Sequence, residues 1–147
     1  MSKQVSLSFF LSQFPEVELP VTIGEDTARA ISSETPPLNT LLVEEYLLPL
    51  EVAEVNEEFT EFVACFQLPQ HDNYVGLVYW RADLLQYHYV LVTLNPKTGD
   101  LLDRRVVAGT SYEGGELIQS SAAITEERTV YVVSGQGLGY DYDYSAS

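Results

Sequence analysis

From Thr60 onward the chain delivers six short runs rich in Val, Tyr, Phe and Leu, at 60–68, 73–81, 87–94, 101–107, 117–124 and 129–133. Parallel strands need a crossover of a dozen or more residues, and no connection between these runs is that long. The pattern therefore predicts a mainly β fold, α+β at its N-terminus. Its body is an antiparallel meander of about six strands, as a sandwich or partly open barrel, with one or two short helices ahead of it. In the run 87–94, Tyr87, Tyr89, Leu91 and Thr93 form one face and His88, Val90, Val92 and Leu94 the other. Both faces are largely apolar, which predicts a central strand covered on each side. Asn95-Pro96-Lys97-Thr98-Gly99-Asp100 fits a type I turn, with Pro at its second place and Gly99 supplying the positive φ that closes a hairpin. Glu126-Glu127-Arg128 predicts a second tight reversal.

The first 60 residues have a different texture. They hold five of the seven prolines, at 15, 20, 36, 37 and 49, and each proline removes a backbone donor and disfavours helix before it. Short elements are expected there. Leu7, Phe10, Leu11 and Phe14 share one helical face over 7–14. Residues 17–23 alternate as an edge strand containing Pro20, and Asp26 is placed to cap a turn over 26–32. Residues 38–48 form the best helix, with Leu38, Leu41, Leu42, Glu45 and Leu48 on one face and Pro49 at its end. The stretch 51–61, with five Glu, is open between strand and loop. The organisation that follows is a single β-rich domain over 1–135, with an acidic, Pro-rich arm or cap over 1–60 and a sheet over 61–135. A Gly/Tyr/Asp tail covers 136–147. The arm and its prolines are suited to covering sheet edges.

Charge excludes more than it identifies. Seven Lys and Arg against 22 Asp and Glu give a formal charge of −15. Residues 1–62 contribute twelve acids and two bases (−10), and residues 63–147 contribute ten and five (−5). Nucleic acid and bare anionic membrane surfaces both demand clustered Lys and Arg, so neither is an expected partner. Hydrophobic residues at 46% and charged residues at 20% are enough for a packed core rather than a disordered polymer. No apolar run approaches the ~20 residues that span a bilayer. The N-terminal run ends in Gln13 and Pro15 without a small-x-small cleavage site. A cytoplasmic protein is the expectation, and a leader removed beforehand leaves no trace in the sequence.

Few residues invite a chemical role. Cys65 is the single cysteine, so an intrachain disulfide and a Cys-rich zinc cluster are both impossible. Its apolar strand predicts a buried, inert thiol. His71 and His88 with carboxylates suit a metal only if the fold joins them, because their spacing matches neither strand nor helix. The pairs Glu44-Glu45, Glu57-Glu58 and Glu126-Glu127 read as solvated faces rather than acid/base couples, which need separated environments. G-x-S-x-G is absent, and the Gly135, Gly137, Gly139 series lacks the lysine and helix of a phosphate loop. In the tail, Tyr140, Asp141, Tyr142, Asp143 and Tyr144 place aromatics on one side and carboxylates on the other when extended. That is a candidate partner-binding segment.

Residues 89–102, with their Asn-Pro-Lys-Thr-Gly-Asp turn, resemble the outer hairpin of a β-propeller blade. A propeller needs at least four blades of roughly 40 residues, and the chain is too short for that. The opening Phe10-x-x-x-Phe14-Pro15-x-x-x-Leu19-Pro20, the strand series and the late Ser120-Ser121-x-x-Ile124-Thr125 segment are similar to small, β-rich bacterial proteins of uncharacterised activity. That likeness transfers no catalytic residue and no cofactor. The sequence thus leads to an acidic, non-enzymatic protein-binding module for a basic protein partner, immunity- or inhibitor-like or an accessory subunit. A self-associating β module and a His/carboxylate metal-dependent enzyme are the alternatives.

Overall fold

The computed structural model describes residues 6–24, 38–51, 59–84, 86–113 and 115–136. The expected turn over 26–32 and the tail with Tyr140, Asp141, Tyr142, Asp143 and Tyr144 lie outside them. Strands β2 (Glu61–Gln67), β3 (Val75–Ala82), β4 (Tyr87–Leu94), β5 (Leu101–Glu113), β6 (Glu116–Ile124) and β7 (Val130–Gln136) follow in chain order, each antiparallel to the next. They form the expected meander, curled into a half-barrel. The short β1 (Val21–Ile23) pairs with Ala122–Ile124 of β6, beyond the stretch Glu116–Ser120 that β5 occupies. Among the described residues no helix is long and apolar enough to cross a membrane.

The two reversals are built as their sequences dictate. Asn95 Oδ1 accepts from the Lys97 and Thr98 amides at 2.8 and 3.1 Å, and the Gly99 amide donates to Asn95 O at 2.8 Å with φ +78° at Gly99. In the second, the Arg128 amide reaches Thr125 O at 2.9 Å and Arg128 takes φ +67°.

Three expectations need correction. The predicted strand over 17–23 survives only as β1, because Pro20 offers no ladder donor. The residues before it turn to β2 instead. Val17 donates to Gln67 O at 3.0 Å and Gln67 to Pro15 O at 2.8 Å. Together with the Leu38 amide on Phe62 O at 2.8 Å, they cover the outer edge of β2, as the edge argument requires. The predicted helix over 38–48 is composite. It opens as α2 (Thr40–Leu42), capped by Asn39 Oδ1 on the Leu41 amide at 2.8 Å, widens to a π-helical stretch at Val43–Leu47, and tightens to a 3-10 turn at Leu48–Leu50 containing Pro49. The wider turn rotates the buried face, so Leu42, Tyr46 and Leu47 are buried while Leu41 is 46% exposed. β5, predicted to end near 107, continues to Glu113 because its polar second half pairs with β6.

Both faces of β4 are buried, as its sequence requires. On one side Leu77, Tyr79, Val90, Val92 and Leu94 pack against Phe10 and Phe14, from α1 (Leu7–Ser12) and just after it, and against Leu42, Tyr46 and Leu47. Phe10 stacks on Tyr46 with centroids 4.5 Å apart. On the inner side of the curl Cys65, Phe66, Val78 and Tyr89 meet Ile23, Val107, Ala108 and Ile124. Cys65 is the extra residue of a bulge in β2, and burial pushes its thiol pKa well up. Tyr89 is 0% exposed, and its hydroxyl has no hydrogen-bond partner among the described residues. An unsatisfied buried hydroxyl costs about 1–3 kcal/mol. Tyr89→Phe is therefore expected to stabilise the fold by about 1 kcal/mol, read as a higher urea midpoint at unchanged slope. A lowered midpoint would show that the hydroxyl is bonded.

Candidate functional site

Register aligns one row of residues across six strands. Phe62 of β2 faces Arg81 of β3, Arg81 faces His88 of β4, His88 faces Gly109 of β5, Gly109 faces Ser120 of β6, and Ser120 faces Ser134 of β7. Apart from Phe62 and Gly109 the row is polar. The glycine leaves a notch in it, and a half-open cleft of about 180 Å³ lies there. His88 forms one wall and Ser120 and Ser134 the other. Val106 and Val132 lie toward one end, Ser111 and Ile118 toward the other. Ser120 and Ser134 join their hydroxyls at 2.9 Å.

Gly109 is required by the close approach of β5 to β4. Its φ is +147°, and a Cβ there would meet Tyr87 O at 2.2 Å, His88 Cα at 2.9 Å and His88 Cδ2 at 3.2 Å. The last contact places the imidazole edge over the glycine. An extra residue at Val107 sets this register, since β4 pairs Val90 with Val106 but Tyr89 with Ala108. Without that bulge Ala108, not Gly109, would stand opposite His88.

Beside the cleft lies a buried charge network. Glu51, just after the 3-10 turn, has a side chain only 1% exposed. Its Oε1 accepts from Arg81 Nη1 at 2.7 Å and its Oε2 from Arg104 Nη2 at 2.7 Å and from the Tyr79 hydroxyl. Arg81 also donates through Nε to Asp83 Oδ2 at 3.2 Å, and Asp83 Oδ1 accepts from Thr60 Oγ1 at 2.7 Å. Burial raises the Glu51 pKa, but the hydrogen bonds from Tyr79, Arg81 and Arg104 outweigh it and hold the carboxyl below its ordinary value. Asp83 is lowered in the same way, its burial overcome by Thr60 and Arg81. Two cations and two carboxylates leave the network neutral. His88 borders it, and its pKa is lowered, first by burial and secondarily by Arg81 and Arg104, against the opposing charges of Asp83 and Glu51. The balance favours the neutral imidazole.

Of the sequence-predicted candidates, His88 lines the cleft and the others fall elsewhere. His71 lies in the β2–β3 connection, where Nδ1 accepts from the Asn73 amide at 3.1 Å and the ring stacks on Tyr74. It sits at the Val75 end of β3, whereas His88 faces Arg81, about 20 Å along a strand rising ~3.3 Å per residue. The fold keeps the two histidines apart. Among the described residues no group of three or more His, Cys, Asp or Glu side chains is placed to share a metal. Glu44, Glu126 and Glu127 are exposed, while Glu57 and Glu58 lie outside the described residues. Glu51 and the Gly109 notch are what sequence reasoning missed. The only local hint is Val106-Val107-Ala108-Gly109, where consecutive apolar residues before a glycine break alternation as a bulge does.

No family model, curated protein or solved structure matches the chain.

Proposed function

We propose that the chain is a cytoplasmic, non-enzymatic binding module that recognises a basic protein surface, as an inhibitor- or immunity-like protein or an accessory subunit. The carrying observation is how the fold distributes charge. Arg81 and Arg104 are turned inward onto Glu51, and Arg128 lies over Tyr74 and donates to Pro69 O at 2.8 Å. Exposed Glu16, Glu18, Glu44, Glu61, Asp72, Asp100, Asp103, Glu116, Glu126 and Glu127 then face solvent against Lys97 and Arg105 among the described residues. Arg105 is itself paired with Asp103 at 3.1 Å. The outward field is anionic, which speeds encounter with cationic partners and repels anionic ones. A lone buried thiol suits a reducing compartment.

The test is affinity capture from the native lysate, followed by binding constants for the identified partner at rising salt. The expected partner is basic, and its affinity falls steeply toward ~1 M salt, where screening acts over about 3 Å. An acidic partner, or one indifferent to salt, overturns the reading. Removing 137–147 in the same assay reports whether Tyr140, Asp141, Tyr142, Asp143 and Tyr144 contribute. One feature favours self-association as the second reading. β7 carries exposed Tyr131 and Val132, and its outer edge has no strand partner among the described residues. Sedimentation at micromolar concentration separates the two, because only the second predicts a stable oligomer without a partner.

A further inference from the structure

We infer that the Gly109 notch is a receptor for an arginine side chain of the basic partner, with His88, Ser120 and Ser134 as neutral hydrogen-bond acceptors and Val106 and Val132 as apolar ground for its methylene stem. This rests on the reading of the chain as a module for basic partners, and it names where the partner's side chain enters.

Geometry defines the occupant's size. His88 and Ser120 stand two strand spacings apart, about 9.6 Å between backbones, and Gly109 between them contributes no side chain. That gap admits one flat group edgewise rather than a folded chain. Val106 is 49% exposed and Val132 43% exposed, so the cleft mouth carries apolar surface left open to solvent. A long amphipathic side chain lays its stem along such surface and keeps its head near water.

The available acceptors define its chemistry. Ser120, Ser134 and Ser111 each carry hydroxyl oxygens with lone pairs, and a neutral imidazole keeps one acceptor nitrogen. Neither ring nitrogen of His88 has a hydrogen-bond partner among the described residues. Guanidinium presents five donors in a planar fork and is more weakly hydrated than ammonium. It therefore loses less than lysine would in a site whose acceptors are uncharged. An anion is disfavoured twice. The chain carries −15 overall, and the cations closest to the cleft, Arg81 and Arg104, are bonded to Glu51. Metal binding lacks ligands, since one imidazole and hydroxyls make no set for a transition ion. Serine nucleophile chemistry lacks its base, because Ser120 and Ser134 bond to each other rather than to His88.

The test is a titration of the full chain, labelled for NMR, with N-acetyl-arginine methylamide. The expected result is saturable shifts confined to the His88 ring and to the amides of Ser120, Ser134, Val106 and Val132. The lysine analogue should bind more weakly and the glutamate analogue should not bind. Ser134→Leu, on the solvent side of β7, narrows the notch and should weaken the arginine analogue by about tenfold or more; His88→Phe should do the same by removing the imidazole acceptor. Shifts scattered over exposed carboxylates, equal binding of the lysine analogue, or indifference to both substitutions overturns the inference. A nona-arginine peptide at low salt tests the parent reading separately. If the peptide binds while the notch stays silent, this inference fails and the acidic-module reading stands. If the analogue fills the notch but no basic protein or peptide binds, the reading fails and the notch remains an arginine site.

Discussion

Replacing Glu51 with alanine is expected to lower the unfolding free energy by about 3–5 kcal/mol, the usual consequence of leaving buried charges without their partner. Domains of ordinary stability hold only about 5–15 kcal/mol, so much of the margin goes with one side chain. The reason lies in three donors that converge on one carboxylate. Removing it takes the carboxylate partner from Arg104 and one of two carboxylate partners from Arg81, whose side chain is 7% exposed. It also removes the acceptor of the Tyr79 hydroxyl proton. Glu51→Gln keeps the shape and serves where the alanine variant does not fold, since it too takes the carboxylate charge from Arg104 and leaves Arg81 with Asp83 alone of its two carboxylates. Replacing Glu51, Arg81 and Arg104 together by apolar residues of similar volume should recover most of the loss, because a buried ion cluster repays little of its desolvation. By contrast, Arg105→Ala breaks an exposed pair and should cost under about 1 kcal/mol. Urea midpoints of the four variants decide it, and a Glu51→Ala midpoint close to that of Arg105→Ala would refute the network's role. The same network sets the acid limb. Glu51 and Asp83 have lowered pKa values in the fold, so the unfolded chain binds more protons, and their contribution is full above the ordinary carboxylate range and lost as pH falls through the folded values. His88 is also lowered, so the decline starts below about 6.5 and steepens in the carboxylate range. Glu51→Gln should flatten the steep part only.

The strands and turns were legible because they rest on local chemistry. Asn95-Pro96 with Gly99 dictates its turn through one side-chain oxygen and one positive φ, and the doubly apolar β4 announces its own central place. What escaped depends on partners distant in sequence. Glu51 reads as one more solvated acid in a run of five Glu, and only the placement of Arg81 on β3 and Arg104 on β5 makes it the buried anchor. The helix after Asn39 was visible, but its buried face was not, because a π-helical stretch exchanges Leu41 for Tyr46 and Leu47. The row from His88 to Ser134 is invisible to spacing rules. It exists by register, and register here hangs on the one-residue bulge at Val107.

Gly109→Ala tests that register directly and should cost about 3 kcal/mol or more, the sum of backbone strain and overpacking. The added Cβ meets a carbonyl oxygen at 2.2 Å and a Cα at 2.9 Å. Both are backbone atoms of the paired strand, so relief requires β4 and β5 to separate rather than a side chain to turn. Gly115→Ala is the matched control. It also has positive φ, at +83°, but nothing lies within 4 Å of its added Cβ. It should show the left-handed penalty alone, about 1–2 kcal/mol. Equal losses at the two positions would mean that close approach is not what Gly109 provides. Hydrogen exchange adds a spatial readout. Gly109→Ala should speed exchange of β4 and β5 amides around Tyr87 and Gly109, while Gly115→Ala should affect only the β5–β6 turn. Because the same glycine forms the notch floor, its alanine variant should also displace the His88 ring, so His88 resonances should move with Gly109→Ala and stay still with Gly115→Ala.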